Sequence, residues 1–193
     1  MADVLLFHHA HGLTDGVRAF ADRLRAEGHV VVVPDLYAGR VFATVEEGVA
    51  HAERIGFGTI LDRGETIASE QTSAKLIYAG FSLGALVAHK LAQTRADARG
   101  ALLYSHGDVP IATFGDSWPA GVDLQLHIAE RDPWCELEVV REFADLAGNS
   151  AHAELFLYPG STHLFMDGGL GDYEPESAAL ALERTLDFLR SHD

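Results

Sequence analysis

The chain has 193 residues, a length that fits one domain, so residues 1–193 are interpreted as a single domain. Apolar residues make up 48% of the chain, which is enough for a buried core and excludes a disordered chain. With 14 basic and 29 acidic residues the formal net charge is −15, and a surface this acidic repels nucleic acid and anionic membranes, so we expect neither as a partner.

Cysteine content and the N-terminal residues bear on the compartment. Cys135 is the single cysteine, which excludes an internal disulfide and favours a reducing compartment. The first residues lack the basic segment and the longer apolar segment of a signal peptide. No stretch approaches the roughly 18 uninterrupted apolar residues that a membrane helix needs. We therefore expect a soluble cytoplasmic protein.

Strand-like and helix-like runs alternate along the chain. In chain order the predicted elements are a strand at 4–7, a helix at 15–27, strands at 30–33 and 76–79, a helix at 82–94, strands at 101–104 and 124–129, a helix at 136–147, a strand at 153–158 and a helix at 175–190. The four valines at 30–33 are typical of a strand buried on both faces of a parallel sheet. Two more helices, near 44–55 and 59–70, fit the less regular stretch 37–73 and would overhang the strand ends as a partial lid.

This alternation predicts an α/β fold with a mostly parallel sheet and helices on both faces. In such folds the active site lies at the carboxyl ends of the strands. The residues that directly follow predicted strands and have chemical potential are residues 8–12, Ser82, Asp108, Asp132 and His163. We therefore expect the chemistry at that edge of the sheet.

The candidate nucleophile is Ser82, the centre of a G-x-S-x-G pentapeptide at residues 80–84. The pentapeptide joins a predicted strand to a predicted helix, and this sharp turn leaves the serine strained with its hydroxyl exposed. Glycine on either side avoids a clash with neighbouring backbone. The pattern alone also fits a plain glycine-rich turn, but its place between strand and helix predicts a catalytic serine.

A serine hydroxyl needs an adjacent base, and position selects one of the 11 histidines. His163 follows the last predicted strand and comes after Ser82, as in the Ser…Asp…His order of α/β-hydrolases. The acid that orients the imidazole should lie between them in the chain. Asp132, after the fifth predicted strand, is the preferred candidate, and Asp108, after the fourth, is the alternative.

The chain resembles the dienelactone hydrolase family over nearly its whole length. The motifs that carry the resemblance are residues 6–12, residues 21–24, Val-Pro-Asp-Leu-Tyr at 33–37, the pentapeptide at 80–84, Asp132-Pro133 and Tyr-Pro-Gly-Ser-Thr-His at 158–163. The resemblance implies an α/β-hydrolase fold with a triad at Ser82, His163 and Asp132. It also implies that the backbone N–H groups of Ala10 and Leu83 form the oxyanion hole.

Three positions depart from the family. The name-giving enzymes have a cysteine where this chain has Ser82, and a glutamate linked to thiol activation where it has His9. They also carry an arginine just beyond the catalytic histidine to hold a substrate carboxylate, whereas residues 164–167 are Leu-Phe-Met-Asp. Together with the acidic surface, these departures favour a neutral ester or lactone over an anionic dienelactone.

Six side chains are candidates for contact with the substrate. Phe81, Leu83, Phe165 and Met166 could line an apolar acyl pocket or belong to the core. His9 could contact the substrate or its leaving group, and Trp134, beside the acid loop, could edge the site or pack against it.

The histidines at positions 8, 9 and 11 raise the alternative of a metal site. No carboxylate or cysteine stands at convincing ligand spacing nearby, and alternate residues of an extended chain face opposite ways. We therefore predict no metal and no cofactor, and assign this turn to the oxyanion hole.

The preferred interpretation is a minimal α/β-hydrolase without a large cap, which cleaves small esters or lactones through an acyl-enzyme on Ser82. Two alternatives stay open. One is a non-catalytic binding module that keeps the fold and the pocket, and the other is an acyltransferase that uses the same serine.

Overall fold

The computed structural model describes residues 1–106 and 109–192, and in these ranges six strands form one parallel sheet. The strands are β1 (Asp3–Phe7), β2 (Val30–Val32), β3 (Leu76–Phe81), β4 (Ala98–Tyr104), β5 (Asp123–Ala129) and β6 (Ala153–Tyr158). Their order across the sheet is β2-β1-β3-β4-β5-β6, and every neighbouring pair is parallel. The prediction of a parallel sheet is confirmed.

Helices cover both faces of the sheet. They are α1 (Asp15–Ala26), α2 (Val45–Ile55), α3 (Phe57–Ser69), α4 (Leu83–Thr94), α5 (Leu137–Gly148) and α6 (Pro175–Ser191), with a short 3₁₀ turn at Ile111–Thr113. Helices α1 and α6 pack on one face, and α2 to α5 contribute to the core on the other. Among the described residues, none of the helices combines the length and the hydropathy that a membrane span requires.

The sheet changes direction between β1 and β3. From β1 the chain moves outward to β2, then crosses back and continues with β3 on the other side of β1. Connections on opposite sides of the sheet leave a crevice at the carboxyl ends of these two central strands, where ligands of open α/β sheets bind. The pentapeptide at residues 80–84 lies at the end of β3, so the fold delivers it to this crevice.

One expectation about the strands is wrong. The valine run predicted to be buried on both faces forms β2, in which Val31 is 6% exposed but Val30 and Val32 are 45% and 38% exposed. The reason is its place at the edge of the sheet, where it pairs only with β1. A β-branched run reports strand propensity, whereas burial of its second face depends on which helices cover it.

Candidate active site

The turn at the end of β3 holds Ser82 in an unusual backbone conformation. Its φ of 50° and ψ of −111° lie in a region that L-residues rarely adopt. The flanking glycines are required by space: a Cβ at Gly80 would lie 2.2 Å from the carbonyl oxygen of Gly84, and one at Gly84 would lie 2.3 Å from that of Phe7. These contacts press α4 against the end of β1 and leave the serine side chain at the rim of the sheet.

The structure brings the three predicted triad residues together from segments far apart in the chain. Ser82 Oγ lies 2.8 Å from Nε2 of His163, in position to donate to it. On the other side of the ring, Nδ1 of His163 donates to Asp132, at 2.7 Å from Oδ2 and 2.9 Å from Oδ1. Asp132 and His163 are 6% and 8% exposed, so their contact is largely shielded from water. Asp108, the alternative acid, lies outside the described residues.

Local hydrogen bonds hold the carboxylate of Asp132 in place. The backbone N–H of Trp134 donates to Oδ1 at 2.9 Å, and Sγ of Cys135 donates to Oδ2 at 3.4 Å. The Trp134 ring lies at a tilt to the His163 ring, with 5.9 Å between centroids. Both carboxylate oxygens therefore have a second partner besides the imidazole, which fixes the orientation of the carboxylate toward His163.

Ser105 supports the histidine from the neighbouring strand end. It follows β4, has a φ of 53°, and its hydroxyl donates to the carbonyl oxygen of His163. Sequence analysis did not identify this residue, and nothing local distinguishes it from any serine at the end of a strand. Its contact spans 58 positions of the chain, so only the folded sheet reveals it.

The expected oxyanion turn lies beside the nucleophile. Ala10 and Leu83 line the same cavity as Ser82, and Leu83 is the first residue of α4. The turn is closed by the N–H of Gly12, which donates to the carbonyl oxygen of His9 at 3.0 Å. Helix α2 packs on it so closely that a Cβ at Gly48 would lie 2.0 Å from the carbonyl oxygen of Ala10. The predicted oxyanion donors are thus next to Ser82, and their catalytic role stays a prediction.

Two cavities of about 210 Å³ each open beside the triad, and Trp134 and His163 line both. The first includes Ser82 and a mainly apolar wall formed by Val49, Ala52, Phe57, Leu86 and Val109. The second is lined by His11, Ala43, Thr44, Val45, Leu164, Leu170, Gly171 and Asp172. Residues of α2 and α3, and of the segment before α2, thus wall the cavities, as expected for a partial lid.

The structure corrects most of the proposed substrate contacts. Phe81, Phe165 and Met166 are 3%, 1% and 6% exposed and belong to the core beneath α1 and α6, on the face away from the two cavities. His9 is fully buried and lines neither cavity. Phe81 and residues 165–166 are thus core residues although they lie close to Ser82 and His163 in sequence. Of the six candidates, Leu83 and Trp134 border the cavities.

A second histidine–carboxylate pair lies close to the triad. Nε2 of His9 donates to Oδ2 of Asp167 at 2.7 Å, and both side chains are almost fully buried. The same carboxylate accepts from Thr14 Oγ1 at 2.6 Å and from the N–H of Gly169 at 2.7 Å. Sequence analysis noted both positions as departures from the family but did not join them. The signal in the sequence was that His9, in the turn after β1, and Asp167, in the loop after His163, both depart from the family.

Burial acts on the two members of this pair in opposite ways. It lowers the pKa of His9 by more than the contact with Asp167 raises it, so the ring is neutral. Burial would raise the pKa of Asp167, but hydrogen bonds from His9, Thr14 and Gly169 outweigh that effect and lower it. Asp167 is therefore an anion that receives three hydrogen bonds, and it lies beside the N-terminus of α1, whose dipole favours it.

The histidines after β1 are committed to other contacts. His8 donates from Nδ1 to the carbonyl oxygen of His9 at 2.8 Å and accepts from the N–H of Leu36 at 3.0 Å. Nδ1 of His11 donates to the carbonyl oxygen of Phe42 at 3.0 Å. Within the described ranges, the one cluster with metal-ligand atoms close together is Asp132, Cys135 and His163, which is the acid–base pair itself. The hydrogen bonds there need the proton on His163 that a metal would displace.

Comparisons with known proteins bear on the family and the fold of this chain. A model of the dienelactone hydrolase family matches residues 2–193. A protein from Azospirillum brasilense, named as a proposed carboxymethylenebutenolidase, is 33% identical over 69 residues, which cover 36% of this chain and 30% of that protein. The matched region thus spans less than a third of the curated relative.

Solved structures resemble the fold as a whole. A dienelactone hydrolase-like promiscuous phosphotriesterase from metagenomic libraries has a TM-score of 0.77 at 17% identity, over 99% of this chain and 86% of that one. Esterase 2 of Thermogutta terrifontis, phosphonylated by cyclosarin, has a TM-score of 0.72 at 15% identity, over 98% and 82%. These likenesses confirm the predicted α/β-hydrolase fold, and the family match over residues 2–193 shows that the chain belongs to the dienelactone hydrolase family.

Proposed function

We propose that this protein is a serine hydrolase that cleaves small carboxylic esters or lactones through an acyl-enzyme on Ser82. The observation that carries the proposal is the series of hydrogen bonds from Ser82 through His163 to Asp132, with distances of 2.8 Å and 2.7 Å. A hydroxyl, an imidazole and a carboxylate in this order are what nucleophilic acyl transfer requires. The cavity beside Ser82 supplies space for an acyl or alcohol group.

In the first half-reaction, Ser82 Oγ attacks the carbonyl carbon while Nε2 of His163 takes the hydroxyl proton. The carbonyl electrons move to the oxygen, and this oxyanion accepts hydrogen bonds from the N–H groups of Ala10 and Leu83. Asp132 stabilises the imidazolium that forms. The tetrahedral intermediate then collapses, and the leaving alkoxide receives the proton from His163.

In the second half-reaction, water replaces the alcohol. His163 removes a proton from the water, the resulting hydroxide attacks the acyl-enzyme carbonyl, and Ser82 leaves with the proton returned by His163. The carboxylic acid product is released. In a lactone the acyl and alcohol parts are one molecule, so the same steps open the ring without separating two products.

The substrate class follows from the walls of the site. The cavity at Ser82 is mainly apolar, and residues 164–167, where the resemblance implies an arginine that holds a substrate carboxylate, are Leu-Phe-Met-Asp. A net charge of −15 adds to the repulsion of anionic substrates. A neutral ester or lactone is therefore favoured. We assign the two cavities on either side of His163 and Trp134 to the acyl and alcohol parts of the substrate.

The direct test is covalent labelling. A fluorophosphonate probe phosphonylates an activated serine, and intact and peptide mass spectrometry locates the adduct. We expect one adduct, on Ser82, that Ser82→Ala abolishes. Ser161→Ala is the matched control, because Ser161 is an exposed serine next to the His163 loop. A folded wild-type protein that takes no adduct would instead support the non-catalytic binding module.

Turnover separates hydrolysis from acyl transfer. With p-nitrophenyl butyrate as the substrate, we expect butyric acid as the main product when methanol or a small thiol is also present at moderate concentration. Predominant formation of the new ester or thioester would assign the protein as an acyltransferase with the same Ser82 intermediate.

A further inference from the structure

A third buried histidine system borders the cavity at Ser82. His106 lies two residues beyond the end of β4, is 5% exposed, and lines the same cavity as Ser82 and His163. The N–H of Ser82 donates to the carbonyl oxygen of Tyr104 at 2.8 Å, so the residues that follow β4 run beside the nucleophile. The mechanism proposed above gives His106 no task.

A hydrogen-bonded series fixes the proton positions, and it begins at Gln93 on α4. The amide Nε2 of Gln93 donates to the carbonyl oxygens of Ile111 and Ser117, at 3.0 Å and 3.1 Å. Two carbonyl acceptors require the NH₂ group at that position, which settles the orientation of the amide. The Gln93 oxygen therefore faces Nε2 of His89, at 3.0 Å, and can only accept.

The ring protons follow from that orientation. Nε2 of His89 must carry a proton to donate to Gln93, so Nδ1 of a neutral His89 has a lone pair. That lone pair lies 3.0 Å from Nε2 of His106, which must then be the donor. Burial lowers the pKa of His106 to about 4 and that of His89 well below its usual range, so both rings are neutral near pH 7. Nδ1 of His106 is consequently an acceptor.

The acceptor on His106 is open to the cavity. Its Nδ1 makes no hydrogen bond to a residue in the described ranges. Nor is it fully buried, because the single fully buried polar side-chain atom without a partner in those ranges is Nδ1 of His9. Nδ1 of His106 is therefore accessible from the cavity that it lines. The neighbouring Ser105 hydroxyl is already bound to the carbonyl oxygen of His163. Most of the remaining wall is apolar.

We propose that His106 determines substrate specificity by accepting a hydrogen bond at Nδ1 from a hydroxyl or N–H group of the substrate. The preferred substrates are then esters or lactones with such a donor close to the reacting carbonyl. This inference rests on the proposed function, because both use the cavity at Ser82. A purely hydrocarbon acyl group would cover the lone pair without pairing it, and an unpaired buried acceptor selects against that substrate.

The test compares two esters that differ by one hydroxyl, p-nitrophenyl 3-hydroxybutyrate and p-nitrophenyl butyrate. We expect the wild type to favour the hydroxylated ester by about 3–10-fold in kcat/KM, the size of one neutral hydrogen bond. In His106→Phe this ratio should fall to about 1. His152→Phe, which replaces an exposed histidine, should keep the wild-type ratio. The ratio within one preparation does not depend on how much of the variant is active.

A second measurement needs no variant of the cavity. The ¹⁵N shifts of histidine in the wild type at pH 7 report which ring nitrogen carries the proton, and we expect Nε2 protonated and Nδ1 unprotonated for His106. A proton on Nδ1, or a wild-type ratio near 1 with Ser82 still labelled by the fluorophosphonate, overturns this inference and leaves the hydrolase proposal standing. No turnover of either ester, with no adduct on Ser82, overturns both.

Discussion

The two histidine–carboxylate pairs of this protein have nearly the same contact and different surroundings. His163 meets Asp132 at 2.7 Å, and His9 meets Asp167 at 2.7 Å. The second nitrogen of His163 faces Ser82 and the cavities, whereas the second nitrogen of His9 is buried without a partner in the described ranges. A histidine beside a carboxylate is therefore not by itself a catalytic unit, and access to a nucleophile and to the substrate decides the role.

The buried pair of His9 and Asp167, called the sealed pair below, has a structural role that its contacts define. His9 belongs to the turn that carries Ala10, and Asp167 lies four residues beyond His163. Their hydrogen bond, with that from Thr14 to the same carboxylate, ties the turn at Ala10 to the loop of His163. The space is fitted closely, because a Cβ at Gly16 would lie 1.5 Å from Oδ1 of Asp167. We interpret this pair as positioning the site without touching the substrate.

The largest difference between the pairs should appear in catalysis. Asp132→Asn keeps the shape of the acid but favours the wrong tautomer of His163, and we expect kcat for p-nitrophenyl butyrate to fall by about 10⁴-fold. Asp167→Asn is the matched change in the sealed pair, and it should lower kcat by no more than about tenfold. Equal losses in the two variants would contradict the distinction drawn between the pairs.

Acid should destabilise the protein through its buried, neutral histidines. Burial lowers the pKa of His8 and His106 to about 4 and that of His127 to about 3, and it lowers the pKa of His9 as well. Below pH 6.5 these histidines bind protons in the unfolded chain but stay neutral in the folded protein. Their contribution to the free energy of unfolding is therefore fully present above pH 6.5 and is lost as the pH falls toward 4.

Each such histidine contributes about 1.4 kcal/mol per pH unit in this window, so at pH 5.5 the free energy of unfolding should be lower than at neutral pH by about 4 kcal/mol or more. Urea unfolding at a series of pH values measures the slope. His127→Phe should reduce it by about one proton, and His152→Gln, at an exposed position, should leave it unchanged. A flat profile between pH 7 and pH 5.5 would show that these rings take up protons in the folded state.

Asp167→Asn should act on stability more than on turnover. Asparagine cannot accept from His9, Thr14 and Gly169 together, because one of its two groups is an NH₂ donor. We expect the free energy of unfolding to fall by about 2–3 kcal/mol, the range for hydrogen bonds to a charged group. Urea unfolding at pH 7.5 measures this, with Asp172→Asn on the exposed part of the same segment as control. An unchanged midpoint would argue against a tie between the two loops.

The smallest effect on stability and turnover is expected from a change at Gly48, which packs against the turn at Ala10. A methyl group at Gly48 would meet the carbonyl of Ala10, so Gly48→Ala should displace α2 or the turn and cost about 1–3 kcal/mol of stability. Because Ala10 is a proposed oxyanion donor, kcat should also fall, by roughly tenfold. Gly58→Ala on α3 is the matched control: its Cβ would meet nothing within 4 Å, so it should be neutral or slightly stabilising. Equal values of kcat and of the free energy of unfolding in the two variants would contradict the inference that α2 supports the turn.

The order of strands and helices could be predicted because hydrophobic periodicity is a local property of the chain. The helices expected near residues 44–55 and 59–70 are α2 and α3, Val45–Ile55 and Phe57–Ser69. The meeting of Ser82, His163 and Asp132 could be predicted because each follows a strand, and parallel strands end at one edge of the sheet. What failed were the predictions that Phe81, Phe165 and Met166 face the substrate, because these side chains lie in the core.

The sequence by itself determined the alternation of strands and helices, the family, and the three residues that meet at the rim of the sheet. Only the tertiary structure decided that β2 is an exposed edge, that His9 meets Asp167 across 158 positions of the chain, and that His106 lines the cavity at Ser82. The physical reason is that periodicity and turn chemistry act between near neighbours, whereas burial and the tautomer of a buried ring depend on partners brought close by the whole fold.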